Sequence, residues 1–246
     1  MAPGKPVVET VHGPIRGFDS GRINVFKGVR YAAPPIGDLR FRAPMPPEPW
    51  TEPADAGEFG SACPQPPLPG IPLDLGARQD EDCLTLNIWA PSGAEAKPVM
   101  VWLHGGAYVL GSGSQPFYDG NRLADSGDVV IVTVNYRLGA FGFLDLSVLN
   151  RPASTFDSNI GLRDVLAALH WVQDNIAAFG GDPDRVTLFG ESAGAGLVTT
   201  LLAVPSAKGL FSAAIAQSSP ATSVYDRGRA EVMANAQEQA KRLQAD

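Results

Sequence analysis

Four β-prone residues, Val186-Thr187-Leu188-Phe189, run directly into Gly190-Glu191-Ser192-Ala193-Gly194 and on into the small-residue stretch Ala195-Gly196. Gly-x-Ser-x-Gly between a strand and a helix is the layout of a nucleophile elbow, a sharp turn that presents its serine above a sheet in a strained conformation. A glycine inside a helix costs about 1 kcal/mol relative to alanine, so Gly194 and Gly196, both early in the predicted helix, need a local reason. Close approach of the strand and helix backbones supplies one, because glycine has no Cβ to collide. Ser192 is the candidate nucleophile, and the rest of the chain must put a buried strand before it and a packed helix after it.

Continuous apolar runs at Val99–Leu103 and 129–134 have the character of strands buried on both faces of a parallel sheet, whereas Leu84–Trp89 alternates like a half-exposed strand. After Asn159, Leu162, Val165, Leu166, Leu169, Val172, Ile176 and Phe179 recur at intervals of three and four, predicting an amphipathic helix that ends at Gly180-Gly181-Asp182-Pro183. Phe211–Gln217 reads as a further core strand, and Asp226–Asp246 as a polar, alanine-rich helix. Alternating strands and helices from Leu84 onward define an α/β fold with a mainly parallel sheet. Upstream, the first forty residues predict antiparallel strands with a turn at His12-Gly13-Pro14. Residues 34–75 are dense in proline, which can neither donate to a sheet nor continue a helix, and predict ordered coil over the surface.

A chain of 246 residues, 44% hydrophobic, can bury a large core. Its net charge of −7, with basic residues scattered, argues against nucleic acid or an anionic membrane as partner. No apolar run reaches the roughly 18 residues of a membrane span, and Met-Ala-Pro-Gly-Lys-Pro has no secretory hydrophobic region. Cys63 and Cys83 share no metal-ligand spacing with His12, His104 or His170. They are either a disulfide or two buried thiols. With no phosphate loop or dinucleotide fingerprint either, no cofactor or metal is expected. His12 is expected to be solvated and His170 to lie on a helix surface.

His104-Gly105-Gly106-Ala107 follows a predicted core strand. Acyl transfer develops negative charge on a carbonyl oxygen, and preorganised backbone N–H groups are the usual means of holding it. A glycine-rich loop can aim such donors, and Ala193 N–H, at a helix N-terminus, adds another with a favourable dipole.

Phe26–Pro35, Glu81-Asp82-Cys83-Leu84-Thr85-Leu86-Asn87, His104–Ala107, Asn135-Tyr136-Arg137-Leu138-Gly139, Phe179–Pro183 and Phe189–Gly194 occur in an order that resembles the type-B carboxylesterases. That family is the branch of the α/β-hydrolases that also contains the cholinesterases, and the likeness is strongest to bacterial p-nitrobenzyl-esterase-type enzymes. The resemblance implies that Ser192 is acylated by small-molecule carboxylic esters, and that Gly106, Ala107 and Ala193 form an oxyanion hole with Gly105 in the same loop. It also implies a Cys63–Cys83 disulfide, an electrostatic role for Glu191 beside the serine, and a buried hydroxyl at Ser218. Tyr108, Leu110, Phe117 and Tyr118 are candidates to line an acyl or alcohol pocket, or to be packing residues.

The pattern departs from the family in one respect. The superfamily order is Ser, then Asp or Glu, then His, yet no histidine follows Ser192. Family members run to roughly twice this length, so residues 1–246 are expected to be the N-terminal part of a single, incomplete α/β-hydrolase catalytic domain. Its partner would be the C-terminal half, as a separate or cleaved chain, and without it the chain is expected to be poorly soluble or partly disordered, and inactive. The alternative is an inert or cholinesterase-like scaffold acting through protein interaction. Localisation stays open between the cytoplasm and secretion with the signal removed, and the lack of an Asn-x-Ser/Thr site fits a bacterial source.

Overall fold

The computed structural model describes residues 5–67, 70, 72–151, 155–220, 231, 234, 237–239 and 241. The predicted helix over Asp226–Asp246 lies mostly outside them, although the residues described from 231 onward are helical. Along the chain the strands are β1 (Val7–Thr10), β2 (Gly13–Arg16), β3 (Phe18–Asp19), β4 (Ile23–Arg30), β5 (Ala54–Asp55), β6 (Thr85–Pro91), β7 (Lys97–Leu103), β8 (Val130–Val134), β9 (Gly181–Glu191) and β10 (Ala213–Gln217). The helices are α1 (Asn121–Gly127), α2 (Gly139–Phe143), α3 (Ile160–Asn175) and α4 (Ala193–Leu201).

The main sheet has seven strands in the order β10-β9-β7-β8-β6-β4-β3, and β1, β2 and β5 form a small second sheet. Pairing is antiparallel from β3 through β4 and β6 to β8, then parallel from β8 through β7 and β9 to β10. Leu103 at the end of β7 is opposite Gly190 of β9 and Val134 of β8, so these strands reach their C-terminal ends together. That common end carries the elbow and the glycine-rich loop.

The continuous apolar runs behave as expected: Val99, Val101, Leu103, Val130, Val132 and Val134 are wholly buried. Each such side chain contributes about 1.5–3 kcal/mol by leaving water. One face of the sheet joins a core with Val165, Leu169 and Val172 of α3 and Leu197, Val198 and Leu201 of α4. The other buries Ile23, Val25, Trp89 and Ile131 with Ala124 of α1. Helix α3 and the short turn Ile176–Phe179 end at Gly180, whose φ of 83° supplies the left-handed cap read from the sequence.

Three expectations need correction. Strand β6 is not half-exposed, because six of its seven residues are buried. Its alternating polar residues face protein: Asn87 accepts from Gly28 N–H (2.9 Å) and donates to Thr133 Oγ1 (2.9 Å). Strand β10 is not a core strand, since all five of its residues are exposed. It pairs with β9, and its other edge meets no described strand. His12 is half-buried and not solvated, its ring stacked on Trp50 with centroids 6.3 Å apart. Residues 34–67 are largely coil, as the prolines require, and the Cys63–Cys83 disulfide is formed.

Candidate active site

Ser192 sits between the last residue of β9 and the first of α4 with φ 53° and ψ −120°, a conformation an L-residue holds only when its surroundings impose it. The imposing contacts are glycines. A Cβ on Gly190 would lie 2.7 Å from the Gly194 carbonyl carbon, and one on Gly194 would lie 2.0 Å from Leu103 O. The close backbone approach inferred for Gly194 is therefore present, and Gly190 shares it. Gly196 differs, for its missing Cβ leaves room for the Tyr108 hydroxyl, 2.2 Å from where that carbon would be. Backbone bonds pin the turn, with Ser192 N–H donating to Gln217 O and Gly196 N–H to Ser192 O, each at 2.9 Å.

The glycine-rich loop packs directly on the elbow. A Cβ on Gly105 would meet Glu191 Oε2 at 2.6 Å and Ser192 Cβ at 3.2 Å. The loop then turns through three consecutive positive φ angles, 115° at Gly106, 54° at Ala107 and 63° at Tyr108. Gly106 O accepts from Val109 N–H (3.0 Å) and Leu110 N–H (2.9 Å), and Tyr108 O accepts from Gly139 N–H (2.7 Å). Gly106 and Ala107 N–H donate to no acceptor among the described residues. Ala193 N–H opens α4, where a helix leaves its first donors unpaired. Residues with unspent donors therefore adjoin Ser192 along the chain, at Ala193, and follow Gly105, whose backbone packs on Ser192 Cβ.

His104 forms the floor of this loop. It is 1% exposed, stacks on Tyr136 at 4.5 Å between centroids, and places Nδ1 2.8 Å from Gly105 O. Burial pushes its pKa down to about 4, and the Gly105 hydrogen bond only partly opposes this. A neutral imidazole whose Nδ1–H is spent on a carbonyl is a wall of the site and not a base for Ser192. Tyr136 Oη donates to His104 O at 2.6 Å and braces the same wall. His12 lies against Trp50 and His170 is exposed on α3, as its sequence position suggested, so no imidazole is hydrogen-bonded to Ser192 among the described residues.

Glu191 is exposed, with its carboxylate against Gly105. Burial raises the pKa of Tyr118, the nearby Glu191 carboxylate raises it further, and the Gly105 amide opposes both. Tyr118 packs on Trp102 at 5.0 Å and Tyr108 on Phe143 at 4.8 Å, whereas Phe117 is 69% exposed. Leu110 lines a cleft of about 260 Å³ with Pro66, Pro72, Leu73 and Leu75 of the disulfide loop. Ser218 is exposed and not buried, because it follows β10 on the uncovered side of the sheet. Sequence reasoning passed over Gln65, which bonds the disulfide loop to Gly111. Its one signal was a neutral polar residue within a proline run beside a cysteine.

Sheet order, the strained serine after a parallel strand and the facing amide loop define an α/β-hydrolase. A family model described as the carboxylesterase family matches residues 4–245, and the chain belongs to that family. It is 51% identical over 214 residues to the para-nitrobenzyl esterase of Bacillus subtilis (strain 168), covering 86% of this chain and 43% of that protein. It is 45% identical over 221 residues to the phenmedipham hydrolase of Pseudarthrobacter oxydans, covering 88% and 43%. Among solved structures, a PNB esterase superposes with a TM-score of 0.86 at 45% identity, covering 95% of this chain and 47% of that one. The chain therefore spans less than half the length of these relatives.

Proposed function

We propose that residues 1–246 are the N-terminal, nucleophile-bearing part of a single serine carboxylesterase domain that hydrolyses small-molecule carboxylic esters. The observation that carries this reading is the strained Ser192 facing a loop with unspent amides. In the proposed reaction Ser192 Oγ attacks the ester carbonyl and passes its proton to a histidine. The carbonyl oxygen, now negative, accepts hydrogen bonds from Gly106, Ala107 and Ala193 N–H. Collapse of the intermediate breaks the ester C–O bond, the alcohol leaves with that proton, and water repeats the sequence to free the acid from acyl-Ser192. Gly105 keeps the loop close enough to reach, and the Glu191 carboxylate tunes the potential beside the serine.

The histidine and its orienting carboxylate come, in this reading, from polypeptide outside these 246 residues. Support comes from the placement of the three histidines, none of which reaches Ser192, and from the greater length of the relatives. A fluorophosphonate probe followed by peptide mass mapping tests it. The expected result is a phosphonyl adduct on Ser192 once a polypeptide matching the second half of the relatives is supplied, and none without it. Lack of any adduct in both conditions would favour an inert scaffold.

A further inference from the structure

The Gly105–Leu110 turn leaves the protein surface between two supports. Its middle is held by Gly139 N–H on Tyr108 O, from the segment after β8. Its exit, Gly111, is held by a side chain 46 residues upstream. Gln65 Nε2 donates to Gly111 O (2.8 Å) while Gly111 N–H donates to Gln65 Oε1 (2.8 Å), so one carboxamide pairs with both polar groups of one residue as a neighbouring strand would. The same Nε2 donates to Cys63 O (3.0 Å), and Gln65 N–H donates to Gln79 Oε1 (2.8 Å). Gln65 is thus anchored to both sides of the loop that the Cys63–Cys83 disulfide closes.

Gly111 cannot shift inward. With φ 104°, a Cβ there would lie 2.5 Å from His104 Nδ1 and 2.6 Å from Gly105 O, so its backbone already presses on the floor of the amide loop. Holding Gly111 therefore holds the start of the loop and its end together. Beyond it, Gly113 N–H on Asn135 Oδ1 (2.8 Å) and Ser114 Oγ on Leu75 O (2.8 Å) anchor the departing chain to the sheet and again to the disulfide loop.

We propose that Gln65 is a positioning residue for the proposed oxyanion site. Its two bonds to Gly111 set the aim of the Gly106 and Ala107 amides and make the disulfide-closed loop a strut of the catalytic machinery. The proposal rests on the reading of Gly106 and Ala107 as oxyanion donors. Misaimed donors matter because losing one outright costs about 10²–10³ in turnover.

The test is residue-resolved amide exchange and amide chemical shifts in the full 246-residue chain, comparing Gln65→Ala and Gln65→Met with the unsubstituted protein. Methionine keeps the length and volume but makes no such hydrogen bonds. In both variants Val109 and Leu110 amides are expected to exchange at least about tenfold faster and the Gly106 and Ala107 resonances to move, with Ile88 and Val132 unchanged. A Gln65→Met protein indistinguishable from the parent overturns the proposal, as does equal acceleration at Ile88 and Val132. Exchange requires no chemistry at Ser192. Failure of probe labelling and failure of this test are therefore separate results.

Discussion

Strand β6 carries Thr85 and Asn87 and is buried along six of its seven residues, whereas β10, Ala213-Ala214-Ile215-Ala216-Gln217, is exposed along all five. Both belong to the one seven-stranded sheet. The strand richer in polar groups is the covered one. Its neighbours explain this: β4 and β8 flank it, and side chains from both cores close over its faces. Burial is thus set by what lies against a strand, and a polar residue follows inward when its hydrogen bonds are met there.

The largest effect expected from that contrast comes from removing one partner of a buried ion pair at the covered side. Arg137 donates to Asp164 through Nη2 (2.5 Å) and Nε (2.8 Å), with both side chains almost wholly buried. Asp164→Ala leaves the guanidinium without its carboxylate, and a loss of about 3–5 kcal/mol in urea unfolding is expected. A loss below 1 kcal/mol, on the order of an exposed pair, would undo the idea that bonding is what allows these groups inside.

His104 sharpens the comparison through pH. Its pKa is lowered from 6.5 to about 4 in the folded chain, so between those values the unfolded state binds the extra proton and stability rises with pH. Full stability is present above pH 6.5, and about 3 kcal/mol is lost as pH falls towards 4. Urea midpoints should fall more steeply across that range in the parent than in His104→Asn, where Asp164 and Asp157 still titrate.

Asn87→Ala probes β6 itself. It strips the acceptor from Gly28 N–H and a partner from Thr133, and about 1–3 kcal/mol of destabilisation is expected by the same measurement. Ile215→Ala in β10 is the counterpart, with less than about 0.5 kcal/mol expected because the side chain is 45% exposed. If the apolar residue in β10 proves costlier to trim than the polar one in β6, the contrast between the two strands is wrong.

The same contrast marks how far the sequence could be read. β7, β8, α3 and the elbow were legible because their signals are local: unbroken apolar runs, a three-and-four spacing, and glycines flanking a serine. The burial of Asn87 was not legible, because alternation looks the same whether the polar side chain meets water or the hydroxyl of Thr133, 46 residues away. The stacking of His12 on Trp50 and the grip of Gln65 on Gly111 depend on distant partners in the same way. Exposure of Ser218 and β10 depends on what covers that side of the sheet, which no property of those residues encodes.

Gly194 carries a consequence for how such a turn tolerates change. Since the oxygen of Leu103 already fills the volume that even a methyl group would need, any larger residue there wedges the helix off the strand and shifts Ser192 with it. A change at Gly194 therefore acts on the whole turn at once, strand end, serine and helix start together, and not on one side chain.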